Sequence, residues 1–499
     1  MCLLGCSETT FKEASSRIIE GSCWPCRKRR VKCDLGRPAC SRCMGSGQQC
    51  VYGSQPVRWV GGSSLRGRRA ATASYGHQHS PELSHVGNTN ADLVSGPSFD
   101  HSPTRSLIKT PKRELTLSPS PSTPALDDAG LAGYFQNAVL PRFQLSDDQL
   151  SADLTKLLSN PTFQRAISAV SRAHYSLLSK EDPQSTALVR SRTRHAAIAS
   201  FRQSLQEGAC SRKTVQELFS INVLLGILDG MIEPTNDPDA ARFHLNGGFA
   251  MLKRWTKTAA NMLTDGGLNG HLISVFATMD LVHALLSGDK PFFESNIWPM
   301  FAGVTAWFGR LKHDDRFLIL LKAHAEMAAL GNIIKTHLPD EDGVILVQRC
   351  LSPIESMLQP PACSPPPSLD VHLTEWAHFC SLYEIAGIIY YHRALRMRPV
   401  DDGDVQIGVR AGVAKVVGGV LPGMLAHCTI LPMLVIGAHC IYPQDRRAIS
   451  LALDPTVSYL SFGNLPVMLD FLKVTWDRGM MRATWWDMFK DVAERIFLF

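Results

Sequence analysis

Cysteines carry the sharpest chemical signal in this 499-residue sequence. Six of the 14 stand at Cys23, Cys26, Cys33, Cys40, Cys43 and Cys50, a C-x2-C-x6-C unit that recurs once. A redox motif uses one C-x-x-C and gives no reason for a second copy with a third cysteine at matched distance. A disulfide knot needs an oxidising compartment. The opening "MCLLGCSETTFKEASSR" lacks a basic segment followed by an apolar run of signal-peptide length, so a reducing compartment is expected. Metal binding accounts for both copies: thiolates two residues apart at the start of a helical turn grip a tetrahedral ion, and a third from the next loop adds a ligand. That leaves each ion one ligand short, and no histidine lies inside the block. Two zinc ions can share six cysteines if two of them bridge, giving a net negative assembly that neighbouring cations help to offset.

The two copies differ in charge. Arg27, Lys28, Arg29, Arg30 and Lys32 lie between the second and third cysteines, whereas the matching loop of the second copy reads "MGSGQQ". Only the first copy can neutralise phosphates and offer cationic donors to guanine edges in a major groove. A nuclear import signal or a solvated basic face is the plainer reading of "RKRR", and import is compatible with DNA binding. The chain repeats this asymmetry: residues 1–130 hold 17 Lys and Arg against 10 Asp and Glu, and the remainder 34 against 35. The excess points to a polyanion partner at the N-terminus. Arg58, Arg66, Arg68 and Arg69 are candidates for further backbone contacts.

Four zones position these groups. Residues 1–22 read as a polar tail, 23–53 as the metal-stabilised cysteine module, 54–128 as a disordered linker and 129–499 as one large all-α domain. The linker is rich in Ser, Pro and Arg, as in "PKRELTLSPSPSTP", and buries too little to offset its ordering entropy. Six Ser-Pro or Thr-Pro steps, from Ser80 to Thr123, are candidate sites for proline-directed phosphate. Further on, Asn160-Pro161 predicts a helix start, with Phe163, Ile167, Val170, Leu177 and Leu178 on one face. Thr214 and Glu217 predict a capping box, and Trp376, Phe379, Cys380 and Tyr383 recur at helical spacing. Val416 to Gln444 holds no Lys, Arg, Asp or Glu, yet its glycines, prolines and histidines favour a buried helix pair over a membrane span, and no membrane partner is expected.

Cys23 to Cys50, including "CDLGRPAC" with its proline two residues before the fourth cysteine, resembles the binuclear zinc cluster module of fungal transcription regulators. The resemblance implies Cys23 and Cys40 as bridging ligands, Cys26 and Cys33 completing one zinc, and Cys43 and Cys50 the other. It makes Arg30, four residues after the second cysteine, the base-reading side chain, with double-stranded DNA carrying CGG-like triplets as target. Lysine is frequent there in relatives, and an arginine changes the donor geometry. Relatives often pair through a coiled coil after the cluster. No sustained apolar heptads run from Val51 to Asp100, leaving monomeric binding or a homodimer formed through the helical domain.

The remainder is similar to the regulatory domain that accompanies such clusters, in "LAGYFQNAVLP", "RFHLNGGFAML", "IIYYHRAL", "LPMLVIGAHC" and "FGNLPVMLDFLKVTW". The implied role is a nuclear activator of RNA polymerase II genes, pathway-specific and acting with the transcription machinery. A zinc-cluster scaffold for protein or RNA, without duplex sequence preference, is the alternative. The sequence carries no GxSxG, HExxH or Gly-rich phosphate loop, so no enzyme is expected. His244, His392 and His439 read as satisfied core groups, Cys210, Cys350, Cys363, Cys380, Cys428 and Cys440 as small buried residues, and "PDEDG" at 339–343 as a solvated loop. Trp485, Trp486 and the terminal "RIFLF" read as core or as an activation patch, with core favoured.

Overall fold

The computed structural model describes residues 23–29, 31–37, 39–47, 50, 127–145, 150–179, 183–207, 211–235, 240–254, 257–336, 354, 356, 358, 371–419, 421, 423–479 and 482–498. The tail, the expected linker up to residue 126, "PDEDG", Cys210, Cys350 and Cys363 fall outside these residues, and the linker's last two residues, Asp127 and Asp128, instead cap and begin a helix. In the module, short helices Trp24–Arg29 and Ser41–Met44 each begin directly after a first cysteine of the repeat. In the large domain every described element is helical. The first helix, Asp128–Tyr134, starts within a residue of the expected boundary because the Asp127 carboxylate accepts the Gly130 amide and caps it.

The domain is assembled from paired helices. Pro161–Leu178 and Pro183–Glu207 run antiparallel, joined by Thr162 to Ser200 and Arg190 to Ser176 hydrogen bonds, and Arg212–Ile227 packs on Ala240–Arg254. Gly267–Ser287 is the central rod, with 17 of its 21 residues buried, and it packs against Arg316–Thr336 and Trp485–Arg495. Val371–Tyr390 packs on Gly403–Gly418 and Ile430–Ala438. Among the described residues, three helical stretches, 212–232, 267–287 and 316–336, are long and apolar enough to cross a membrane, but 94%, 89% and 61% of their apolar windows are buried inside the protein. Ile430–Ala438, within the uncharged run, is buried throughout but has only 9 residues. The expected buried helix pair is thus this short helix flanked by other helix ends, too short to span.

Several termini follow the sequence. Asn160 Oδ1 accepts the Thr162 and Phe163 amides at 2.9 and 3.2 Å, and Pro161 begins the helix. Phe163, Ile167 and Val170 are buried, whereas Leu177, in the last turn, is exposed. The expected capping box at Thr214 and Glu217 is displaced: Ser211 is the cap, its hydroxyl accepting the Thr214 amide at 3.1 Å, while Glu217 meets Asn160 and Lys213. Phe379, Cys380 and Tyr383 share a buried face, as expected, and Cys428 and Cys440 are buried thiols.

Three helices run on into π turns, at Phe135–Val139, Leu228–Ile232 and Tyr391–Leu395. The middle one ties the domain together. Gly230 carbonyl accepts the Phe497 amide at 2.8 Å, and Ile232 carbonyl accepts the Gly463 amide at 3.0 Å. Asp229 meets Arg194 at 2.7 Å and His244 Nε2 at 3.1 Å. A Cβ on Gly230 would lie 2.4 Å from the Phe497 ring, so only glycine permits this approach. Ile496, Phe497 and Leu498 are buried, as is Trp485, whose Nε1 donates to Leu285 carbonyl at 2.8 Å. Trp485 and residues 496–498 are therefore core, the favoured of the two readings, whereas Trp486 is half-buried and Phe499 lies outside the described residues. His244 has its partners in Asp229 and Asn222. His439 and His392 depart from the expected satisfied pattern, since His439 Nε2 and His392 Nδ1 have no hydrogen-bond partner.

Truncating Phe497 to alanine removes a ring wedged against a backbone that cannot close up behind it. The expected loss is about 3–5 kcal/mol, read as a lowered urea midpoint in the helix signal of the full chain. Buried titrating groups give a second prediction. Burial pushes His174 and His271 down to about 4 and His439 to about 3, with Arg142 and Arg393 adding to the effect on the first and last. Stability from these groups is present above pH 6.5 and lost as pH falls toward their folded values. Asp280, raised by burial to about 7 although it accepts the Phe292 and Phe293 amides, contributes stability below its ordinary value that is lost as pH rises through 7. At pH 5 three histidines gain a proton on unfolding and Asp280 releases one, a net uptake of roughly two protons from these groups. Urea midpoints measured at steps between pH 6.5 and 4.5 should fall with acidification.

Candidate metal centre and nucleic-acid interface

Among the described side chains of the module, the buried cluster is sulfur. Cys23, Cys26, Cys33, Cys40 and Cys43 are buried together, with half-buried Val31 and Cys50 packed against them. A segment with so little apolar surface cannot hold two helices side by side by burial alone. The helix starts bring the sulfurs together: Cys40 is the N-cap of Ser41–Met44, its Sγ accepting the Cys43 amide at 3.4 Å, and Cys50 Sγ accepts the Cys40 amide at 3.3 Å. Asp34 ties the intervening loop to the second helix, accepting the Ser41 hydroxyl at 2.6 Å and its amide at 3.1 Å, which holds the Asp34 carboxyl below its ordinary value. Leu35, beside it, is held at φ 58°, a left-handed conformation that a branched side chain rarely takes.

The sulfur spacings fit a metal. Sγ atoms of Cys23 and Cys40 and of Cys23 and Cys43 are 3.6 Å apart, Cys26 and Cys40 3.7 Å, and Cys33 and Cys23 3.8 Å. Bonds of about 2.3 Å to a tetrahedral zinc place its sulfurs about 3.8 Å apart, whereas a disulfide needs about 2.05 Å. None of the described cysteines is in a disulfide. Cys23, Cys26, Cys40 and Cys43 have all their sulfurs within 4.8 Å of one another. As bare thiols they conflict: burial raises Cys23, Cys26 and Cys43, the last to about 12. Burial also acts upward on Cys40 and Cys50, but backbone amides donating to their sulfurs bring both below the usual thiol value. A cation that replaces the thiol protons resolves this crowding.

Residues 130–499 match the Fungal specific transcription factor domain, and residues 21–59 the Fungal Zn(2)-Cys(6) binuclear cluster domain. The chain belongs to the fungal Zn(2)-Cys(6) transcription factor family. Among curated relatives, it is 30% identical over 141 residues to "Transcription factor tenR" of Beauveria bassiana, covering 27% of this chain and 15% of that one. It is 42% identical over 48 residues to "Transcriptional regulator claA" of Penicillium crustosum, 10% of each chain. It is also 42% identical over 55 residues to "Sorbicillinoid biosynthetic cluster transcription factor sor3" of Hypocrea jecorina, 11% of this chain and 8% of that one. These matches span well under two thirds of the relatives' own lengths. No solved structure matches.

Within this zinc-cluster transcription factor, the basic stretch divides. Arg27 and Lys28 lie on the Trp24–Arg29 helix, and Lys32 is exposed on the following loop. Arg30 lies outside the described residues. Sequence reasoning grouped Arg29 with the DNA-facing cations, but its guanidinium turns onto the second helix: Nη1 donates to Ser46 Oγ at 3.0 Å, Nη2 to Cys43 Sγ at 3.8 Å and Nε to Pro25 carbonyl at 3.3 Å. The Asp34–Ser41 tie was also missed. Its only trace in the sequence is that both residues directly follow a cysteine of the repeat.

Since sulfur is the core, chelation should unfold the module and leave the helical domain standing. Amide exchange of the full chain should show protection lost across 23–50 on adding a zinc chelator, with 267–287 unchanged.

Proposed function

We propose that this chain is a zinc-dependent, sequence-specific DNA-binding regulator of RNA polymerase II transcription that acts in the nucleus on one pathway's genes. The observation that carries the reading is a sulfur cluster of metal-binding dimensions flanked by a cationic stretch on only one of its two copies. Two zinc ions are held by Cys23, Cys26, Cys33, Cys40, Cys43 and Cys50. Cys23 and Cys40 are the bridging pair that the family resemblance implies, and the short Cys23–Cys40, Cys23–Cys43, Cys26–Cys40 and Cys33–Cys23 separations are compatible with it. The zincs perform no reaction. They fix the helix Trp24–Arg29 so that its cations meet DNA in one orientation.

Arg27, Lys28 and Lys32 neutralise phosphates, and Arg30 reads guanine N7 and O6 in a CGG-like triplet. The helical domain governs output through the transcription machinery and supplies whatever pairing of chains occurs. The pathway-specific role is supported by the relative named for the sorbicillinoid biosynthetic cluster. Selection of duplexes from a random library by the full chain should enrich a CGG-like triplet, and chelator should abolish it. Arg30→Ala should relax preference at the contacted guanine by about 1–3 kcal/mol, and native mass spectrometry should count two zincs per chain. Salt-sensitive binding with no enriched sequence would leave the basic stretch as a phosphate grip and favour the scaffold reading.

A further inference from the structure

We propose that Arg29 is a positioning residue of the metal cluster rather than a DNA contact: it neutralises the Cys43 thiolate and clamps the two helices of the repeat. The inference rests on the two-zinc reading above. Its geometry is specific. Three donors of one guanidinium reach three groups: the Cys43 sulfur, the Ser46 hydroxyl beyond the second helix and the Pro25 carbonyl within the first. Ser46 is fixed in turn, its hydroxyl lying 2.8 Å from Arg42 carbonyl and 3.2 Å from Cys43 carbonyl. The arginine thus spans the two halves of the repeat, and a fork of rigid donors suits this where a lysine point charge does not.

The electrostatics point the same way. A cluster of thiolates and two zincs carries excess negative charge. Cys40 and Cys50 each take a backbone amide, but the contact to Cys43 comes from a full cation. Hydrogen bonds to metal-bound thiolates hold the ligand in place and stabilise its charged form. Lys32 is exposed on the loop beyond the helix. The basic stretch therefore has two functions: Arg29 serves the sulfurs, while Arg27, Lys28, Arg30 and Lys32 serve the nucleic acid.

Zinc-loaded full chain with Arg29→Gln, Arg29→Lys or Lys32→Gln separates these functions. Two quantities are read: the rate of zinc transfer to an excess of chromogenic chelator, and the salt dependence of affinity for the selected duplex in excess zinc. Arg29→Gln should release zinc about ten-fold faster with an unchanged salt slope. Arg29→Lys, which keeps the charge but not the fork, should show a smaller acceleration. Lys32→Gln should release zinc at the parent rate and lower the magnitude of the salt slope by about one. A slope lowered by about one in Arg29→Gln, or zinc release at the parent rate in it, overturns the proposal. If Arg29→Gln does not fold, zinc release at the parent rate in Arg29→Lys overturns it equally. Failure of the underlying reading looks different: the unsubstituted chain itself would bind no zinc or select no duplex.

Discussion

Sulfur convergence is the constraint on which the cysteine module of this protein depends. Among the described side chains between Cys23 and Cys50, the buried cluster consists of cysteines, the groups that would bind metal, with a half-buried valine packed against it. Buried bare thiols with opposed proton affinities do not hold two helices together, whereas thiolates around a cation do. Folding and metal binding are then one equilibrium, and the orientation of every cation on the Trp24–Arg29 helix is set by that equilibrium. The Asp34–Ser41 bonds and the strained Leu35 backbone are local adjustments that bring Cys33 and Cys40 to the same cluster.

The helical domain obtains its stability by the opposite route. Its central rod, Gly267–Ser287, has 17 of its 21 residues buried, and two of its hydroxyls dock a neighbouring segment. Ser274 Oγ accepts the Trp307 amide and Thr278 Oγ1 accepts its indole N–H, at 2.9 and 2.8 Å, which docks the 295–311 segment against the rod. Composition alone does not separate such a helix from a membrane span. Burial does, since the covering surface is protein.

What was legible in the sequence follows the range of the physics. Cysteine spacing reports local convergence, and Cys23, Cys26, Cys40 and Cys43 do bring their sulfurs within 4.8 Å of one another. Asn160-Pro161 was legible because cap and first-turn proline act within three residues. The second cap was assigned three residues too late, since Ser211 and Thr214 are both hydroxyl residues and only the backbone decides which one accepts the amide. The π turns left no trace, because shifting a hydrogen bond by one residue needs no change in composition. The contacts of Arg29 were not legible for a related reason: a run of cations gives no direction. The usable signal was helical, for Arg29 stands three residues beyond Cys26 on one short helix and so shares the sulfur-facing side.

The C-terminal segment shows how the helical domain limits where regulation can act. Detaching residues 496–498 would expose three buried apolar side chains and strip partners from Gly230 carbonyl and from Asn464, whose amide donates to Phe497 carbonyl at 2.7 Å. The same π turn holds Asp229 against Arg194 and His244, and Ile232 against Gly463. Its loss would therefore disturb helices far apart in sequence at once, a cost of several times RT shared by the whole domain. A segment bound in this way is not an arm that extends to a partner. Any change that frees this segment must therefore disturb the helices it joins together.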